Sequence, residues 1–140
     1  MIQARPILVV EDSDEDFETV LDAARRAGVT NEIRRANSGD ECLRLLREYV
    51  QNCKIPVLLL LDLNTPKDDG RDALRKIKQD EHLSALPVVV LSTSANPRDL
   101  VFCYANGANA YHIKPVNYLV HLEVLEQIFG YWLTSVALPT

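Results

Sequence analysis

The sequence predicts an α/β fold: a doubly wound parallel sheet of five strands, built from five strand–helix units, (βα)5. Three observations lead there. Short apolar runs recur at 6–10, 57–61 and 87–91, each the length of a strand buried on both faces. The segments between them carry apolar residues at helical spacing. Strand and helix alternate five times, the order that a parallel sheet with crossover helices requires.

The first strand covers 7–10, and a helix follows over 14–27, stopped by Gly28. The second strand, 32–36, is short and more polar, which suits a sheet edge. Ser38-Gly39-Asp40-Glu41 is a capping box, opening a helix with Cys42, Leu45, Leu46 and Tyr49 on one face. The third strand is 57–61. Gly70 closes a loop, and Leu74 and Ile77 mark a helix to about residue 79. The fourth strand is 88–91. Pro97 suits the first turn of a short helix to 105. The fifth strand is 110–113. The last helix begins near Asn117, its N-cap, with Leu119, Leu122, Leu125, Ile128, Phe129 and Trp132 as a broad apolar face. No linker or repeat interrupts the chain, so residues 1–140 read as one domain with a tail over about 131–140. The expected winding is flavodoxin-like, strand order 2-1-3-4-5, with strands one and three adjacent at the switch point.

Composition narrows the function. A net charge of −5 and a pI near 5.1, without a Lys/Arg cluster, argue against a nucleic-acid surface. Arg25-Arg26 and Arg34-Arg35 are expected on solvated faces. No targeting segment is expected, and the run 58–61 is far too short to cross a bilayer. Cys42, Cys53 and Cys103 form no CxxC, so reduced thiols and a cytoplasmic location are expected.

The chemistry lies where the apolar runs stop. The first ends in Glu11-Asp12, the third in Asp62, the fourth in Ser92-Thr93 and the fifth in Lys114-Pro115. A parallel sheet gathers these groups at one rim. Crowded carboxylates need a cation among them, and Mg²⁺ is a hard, oxygen-seeking ion of that kind. The Asp62 carboxylate could act as a nucleophile toward a phosphoryl group, with the Lys114 ammonium and the Ser92 hydroxyl on its other oxygens. A cis Lys114-Pro115 peptide is allowed for an X-Pro bond and would aim the lysine inward. Alone, each residue has a plainer reading. Asp12 or Asp14 would cap a helix, Asp62 would make an Asx-turn over the loop 64–70, Ser92 would sit in a turn and Lys114 on the surface. His82, His112 and His121 read as structural or exposed. The set taken together, each member at a strand end, favours the phosphoryl chemistry.

Val9-Val10-Glu11-Asp12-Ser13, Leu61-Asp62-Leu63-Asn64-Thr65-Pro66 with Gly70, Leu91-Ser92-Thr93 and Tyr111-His112-Ile113-Lys114-Pro115 resemble the receiver domain of two-component response regulators over essentially the whole chain. The resemblance implies a stand-alone regulator that accepts a phosphoryl group from a histidine kinase on Asp62 and signals by docking rather than as an enzyme. It implies Mg²⁺ bound by Glu11, Asp12, Asp62 and the main-chain carbonyl of Asn64. It implies Ser92 and Lys114 on the phosphoryl group and Tyr111 as the aromatic switch. Thr65 and Thr93 depart from the residues usual at those positions, adding bulk beside Asp62. The stretch 62–71, Ser92-Thr93-Ser94 and the tail 131–139 further resemble small regulators serving phytochrome histidine kinases, which tend to be homodimers. A homodimer through the last helix and tail also follows from surplus apolar residues there, including Val120, Val124, Tyr131, Leu133, Val136 and Leu138; Trp132 is the expected anchor. Two competing readings weaken on specific residues. An aspartyl-phosphate phosphatase or phosphotransferase would want a second Asp where Asn64 stands. A flavin domain would want a hydroxyl-rich phosphate loop where this chain has Glu11-Asp12-Ser13-Asp14-Glu15-Asp16.

Overall fold

The computed structural model describes residues 5–139. The elements run β1 (Ile7–Val10), α1 (Asp14–Arg26), β2 (Ile33–Ala36), α2 (Gly39–Gln51), β3 (Leu58–Asp62), α3 (Gly70–Gln79), β4 (Val88–Ser92), α4 (Pro97–Ala105), β5 (Ala110–Ile113) and α5 (Tyr118–Gly130), with a π-helical turn over Tyr131–Ser135. The sheet order is β2-β1-β3-β4-β5, every pair parallel. β1 therefore lies between β2 and β3, with Val10 opposite both Ala36 and Leu61.

The strands read as unbroken apolar runs because each feeds two cores. Leu8, Val10, Leu59, Leu61, Val88 and Val90 face α2, α3 and α4. Ile7, Val9, Leu58, Leu60, Val89 and Leu91 face α1 and α5. Adjacent residues point to opposite faces, as a pleated strand requires.

Local signals set the helix ends. Ser13 caps α1, its hydroxyl accepting from the Asp16 N–H at 3.2 Å. Neither Asp12 nor Asp14 takes that role. Gly28 ends the helix at φ +73°, a left-handed position that a side chain disfavours. The Ser38 box forms, with Ser38 Oγ accepting from the Glu41 N–H and Glu41 accepting from the N–H of Asn37. Asn96 and Asn117 cap α4 and α5. Asp69, at the start of α3, spends both carboxylate oxygens on the N–H groups of Gly39 and Asp40, at 2.7 and 2.8 Å. The loop after β3 is thereby tied to the N-terminus of α2.

The C-terminal segment packs in part on its own domain. Trp132 and Leu133 are half-buried against the core formed by α1 and α5, and the Pro139 carbonyl accepts from Arg5 at 2.7 Å. The segment folds back on its own domain because these apolar side chains find a sheet face already flanked by α5. The large apolar side chains exposed among the described residues are Val101, Tyr104, Ile113, Val116, Tyr118, Leu119, Val120 and Tyr131. All lie on α4, β5, α5 or the segments adjoining them. No helix among the described residues is long and apolar enough to cross a membrane.

Candidate functional site

The parallel register brings the polar strand ends together. Asp62 is the last residue of β3, opposite Leu91, and Ser92 the last of β4, opposite Ile113. Both sit one residue deeper than the apolar pattern suggests, inside the strands, so the sheet ladder holds them. Glu11, Asp62, Ser92 and Lys114 are all buried, at 3, 2, 1 and 9% exposure.

The Lys114 ammonium occupies the centre. Its Nζ lies 3.0 Å from Glu11 Oε1, 2.7 Å from Asp16 Oδ2 and 2.5 Å from Asp62 Oδ2. The other oxygen of Asp62 accepts from the Asn64 N–H at 2.7 Å, so the Asx-turn expected of an isolated Asp62 is present within the cluster. Glu11 Oε2 accepts from the Ser13 N–H at 3.3 Å. Burial, and then the nearby Asp62, push Glu11 up to about 8, with Lys114 pulling the other way. Burial would lower Lys114, but Asp16, Asp62 and Glu11 outweigh it and hold the ammonium above the ordinary lysine range.

No described peptide bond is cis. Lys114-Pro115 is trans, contrary to the geometry considered from sequence. The lysine is aimed inward by continued sheet pairing instead, since its N–H donates to the Ser92 carbonyl at 2.7 Å.

Glu11, Asp16 and Asp62 each place a carboxylate oxygen within 4.8 Å of the others. Three hard oxygens at this spacing suit a divalent cation. Asp12 lies outside this tight group. It lines the adjoining cavity of about 380 Å³ with Asn64, Thr93 and Lys114. The Asn64 side chain turns away to accept from the Thr93 N–H at 2.8 Å. Asp16 was not among the expected ligands. The signal was there: Ser13-Asp14-Glu15-Asp16 puts Asp16 in the first turn of a capped helix, one turn beyond Asp12 and facing the rim.

Arg35 was also unforeseen. It lies over the Phe17 ring. Its Nε donates to the Glu11 carbonyl and its Nη1 to Asp14, both at 2.7 Å. It thus pins the acidic loop to β2, whereas a solvated face was expected. Arg34 lies over Tyr49 and remains exposed. Tyr111 is buried, its hydroxyl donating to the Ser94 carbonyl at 2.8 Å. The Ser92 hydroxyl accepts from the Ser94 N–H at 3.1 Å.

Known proteins resemble this chain over most of its length. The profile of the response regulator receiver domain matches residues 7–126. The chain belongs to the response regulator receiver family. This receiver is 36% identical over 135 residues to the response regulator Rcp1 of Synechocystis sp., spanning 95% of this chain and 92% of that one. It is 39% identical over 128 residues to a probable methanogenesis regulatory protein, FilR2 of Methanothrix harundinacea, spanning 91% of this chain and 83% of the relative. Among solved structures it superposes on the phosphorylated cyanobacterial phytochrome response regulator RcpA with a TM-score of 0.91, at 36% identity, covering 99% of this chain and 100% of that one. The Mn²⁺-bound form of Rcp1 superposes at 0.89, at 36% identity, covering 97% and 99%. The receiver's acidic cluster thus has the composition and spacing to hold a divalent metal.

Proposed function

We propose that Asp62 accepts a phosphoryl group from a histidine kinase and that residues 1–140 act as a single stand-alone receiver domain. The observation that carries this reading is the state of the Asp62 carboxylate. It is buried at the end of the central strand, one oxygen held by Lys114 and the other by the Asn64 N–H. A carboxylate oxygen attacks phosphorus and forms the acyl phosphate, while the phosphorus–nitrogen bond of the kinase phosphohistidine breaks and its imidazole leaves with the electron pair. Lys114 Nζ, already beside Asp62, meets the new negative charge. The Ser92 hydroxyl hydrogen-bonds a phosphoryl oxygen, and Tyr111, bonded to the same loop, responds to that movement. Glu11, Asp12, Asp16, Asp62 and the Asn64 carbonyl would hold Mg²⁺, which supplies neutralisation of the phosphoryl charge when bound. The chain signals by docking in the cytoplasm rather than by turning over a substrate.

For the partner, similarity to RcpA over nearly both full lengths supports a phytochrome kinase. For assembly, Tyr118, Leu119 and Val120 on the exposed side of α5 support a homodimer. The decisive experiment offers the protein, with ATP and Mg²⁺, to candidate phytochrome kinases and follows label transfer in red and far-red light. One phosphoryl group should appear on the wild type and none on Asp62→Asn. Full labelling of Asp62→Asn would refute the assignment, and transfer indifferent to light would refute the phytochrome partner alone.

A further inference from the structure

The loop between β4 and α4 carries a chain of hydrogen bonds that phosphoryl transfer itself does not use. Ser94 is its hub. Its N–H donates to the Ser92 hydroxyl and its carbonyl accepts from the Tyr111 hydroxyl. Its own hydroxyl donates to Asp99 Oδ2 at 2.5 Å, in the first turn of α4. The second oxygen of Asp99 accepts from Arg71 Nη2 on α3 at 2.8 Å. Arg71 Nη1 reaches Asp68, in the loop after β3, at 3.1 Å. The Ser94 hydroxyl, and then Arg71, hold the Asp99 carboxyl below the ordinary carboxylate range. Capping does not require this arrangement, because Asn96 already caps α4 through the Arg98 N–H.

Two physical facts give the chain a consequence. Ser92 and Tyr111 both bond main-chain atoms of Ser94, so movement of either tilts rigid peptide planes and carries the Ser94 hydroxyl with them. Helix α4 buries only Cys103 completely, so apolar packing fixes its seat weakly and polar contacts at its N-terminus carry more of the load. A lightly anchored element is one whose position a ligand can bias.

We propose that Arg71, Asp99 and Ser94 form a latch between α3 and α4 that transmits the state of Ser92 and Tyr111 to the α4 surface. This rests on Asp62 being the phosphoacceptor. Arg71 and Asp99 are positioning residues: they touch neither the phosphoryl group nor the metal cluster and act through Ser94.

The test uses beryllofluoride with Mg²⁺ as the phosphoryl mimic and backbone NMR as the readout, on the wild type, Arg71→Gln, Asp99→Asn and the double variant. In the wild type, shifts should appear around Asp62 and Ser92 and across 97–105. In each single variant the shifts around Asp62 should persist while those across 97–105 are lost. The double variant should lose no more than either single one, because both break the same link. Wild-type-sized shifts across 97–105 in the folded single variants would overturn the latch, even where the melting temperature falls, since a mere brace lowers stability and leaves the response intact. Arg71 and Asp99 sit on different helices, so loss of fold in one variant leaves the other as the test. A wild type that fails to bind beryllofluoride would overturn the phosphoacceptor reading and the latch with it. The two failures give different spectra.

Discussion

At the scale of single residues, the site is a problem of charge. Three acidic side chains share one ammonium, and Glu11 holds its proton to about 8 against an ordinary value of 4.5. The sign follows from proton counting. Above pH 4.5 the unfolded chain releases this proton while the folded state keeps it. The contribution is therefore complete in acid and is lost as pH rises toward 8. Metal-free protein should lose stability across this range with a slope of at most about 1.4 kcal/mol per pH unit, and Glu11→Gln should flatten it in urea titrations. His121 acts in the opposite direction. It is buried with neither ring nitrogen hydrogen-bonded, and burial, with Lys114 nearby, holds its pKa below 6.5. Its contribution is present above 6.5 and lost as pH falls through the folded value. His121→Leu should remove that acid-side loss, checked by denaturation at pH 7.5 and 5.5. Asp16→Asn should reduce the rise in melting temperature caused by Mg²⁺ by an amount similar to Asp12→Asn; an unchanged response would remove Asp16 from the ligand set. Strand-end residues were legible in the sequence because each breaks an apolar run. Asp16 was legible only through its place one turn beyond Asp12 in a capped helix, and Arg35 not at all, because each sits among other charges and is singled out by which way α1 and β2 face.

At the scale of elements, the loop after β3 is held on both sides: Asp69 grips the start of α2, and Arg71 reaches Asp99 on α4. Asp69→Ala should cost about 1 kcal/mol, the ordinary loss of a helix cap, read from chemical denaturation. Gly39→Ala should also destabilise, because a Cβ there would stand 2.6 Å from the Asp69 carbonyl oxygen and neither backbone can give way cheaply. Caps and turns made most element boundaries legible: Ser38-Glu41, Pro97, Asn117 and Gly28 all act where the sequence places them. The ends of β3 and β4 were set one residue short, because a polar side chain looks like a terminus while its backbone still pairs. Asp69 was silent in the sequence, since its partners lie thirty residues away and their approach depends on α2 and α3 being neighbours.

At the scale of the whole molecule, the parallel α/β class was legible from alternation, the strand order 2-1-3-4-5 was the expected choice among the windings that alternation allows, and the fate of the tail was not legible. Apolar residues past α5 could cover either a second copy or the chain's own sheet, and composition does not distinguish the two. Trp132 packs in part on its own domain, while Leu119 and Val120 on α5 are 62 and 46% exposed and are the side chains that a dimer through the last helix would bury. Leu119→Glu with Val120→Lys should yield a folded monomer by light scattering at micromolar concentration, whereas an unchanged dimer would place the interface elsewhere. Among the described residues the large exposed apolar side chains lie between Val101 and Tyr131, while Glu11, Asp12, Asp16 and Asp62 all precede Ser92. The acidic residues of the rim and the exposed apolar face are thus encoded in consecutive stretches of the gene. A recombination joint within 93–96 would let a descendant inherit a new apolar face in one piece while keeping Glu11, Asp12, Asp16 and Asp62, provided the incoming piece again supplies a lysine at 114 to sit among them.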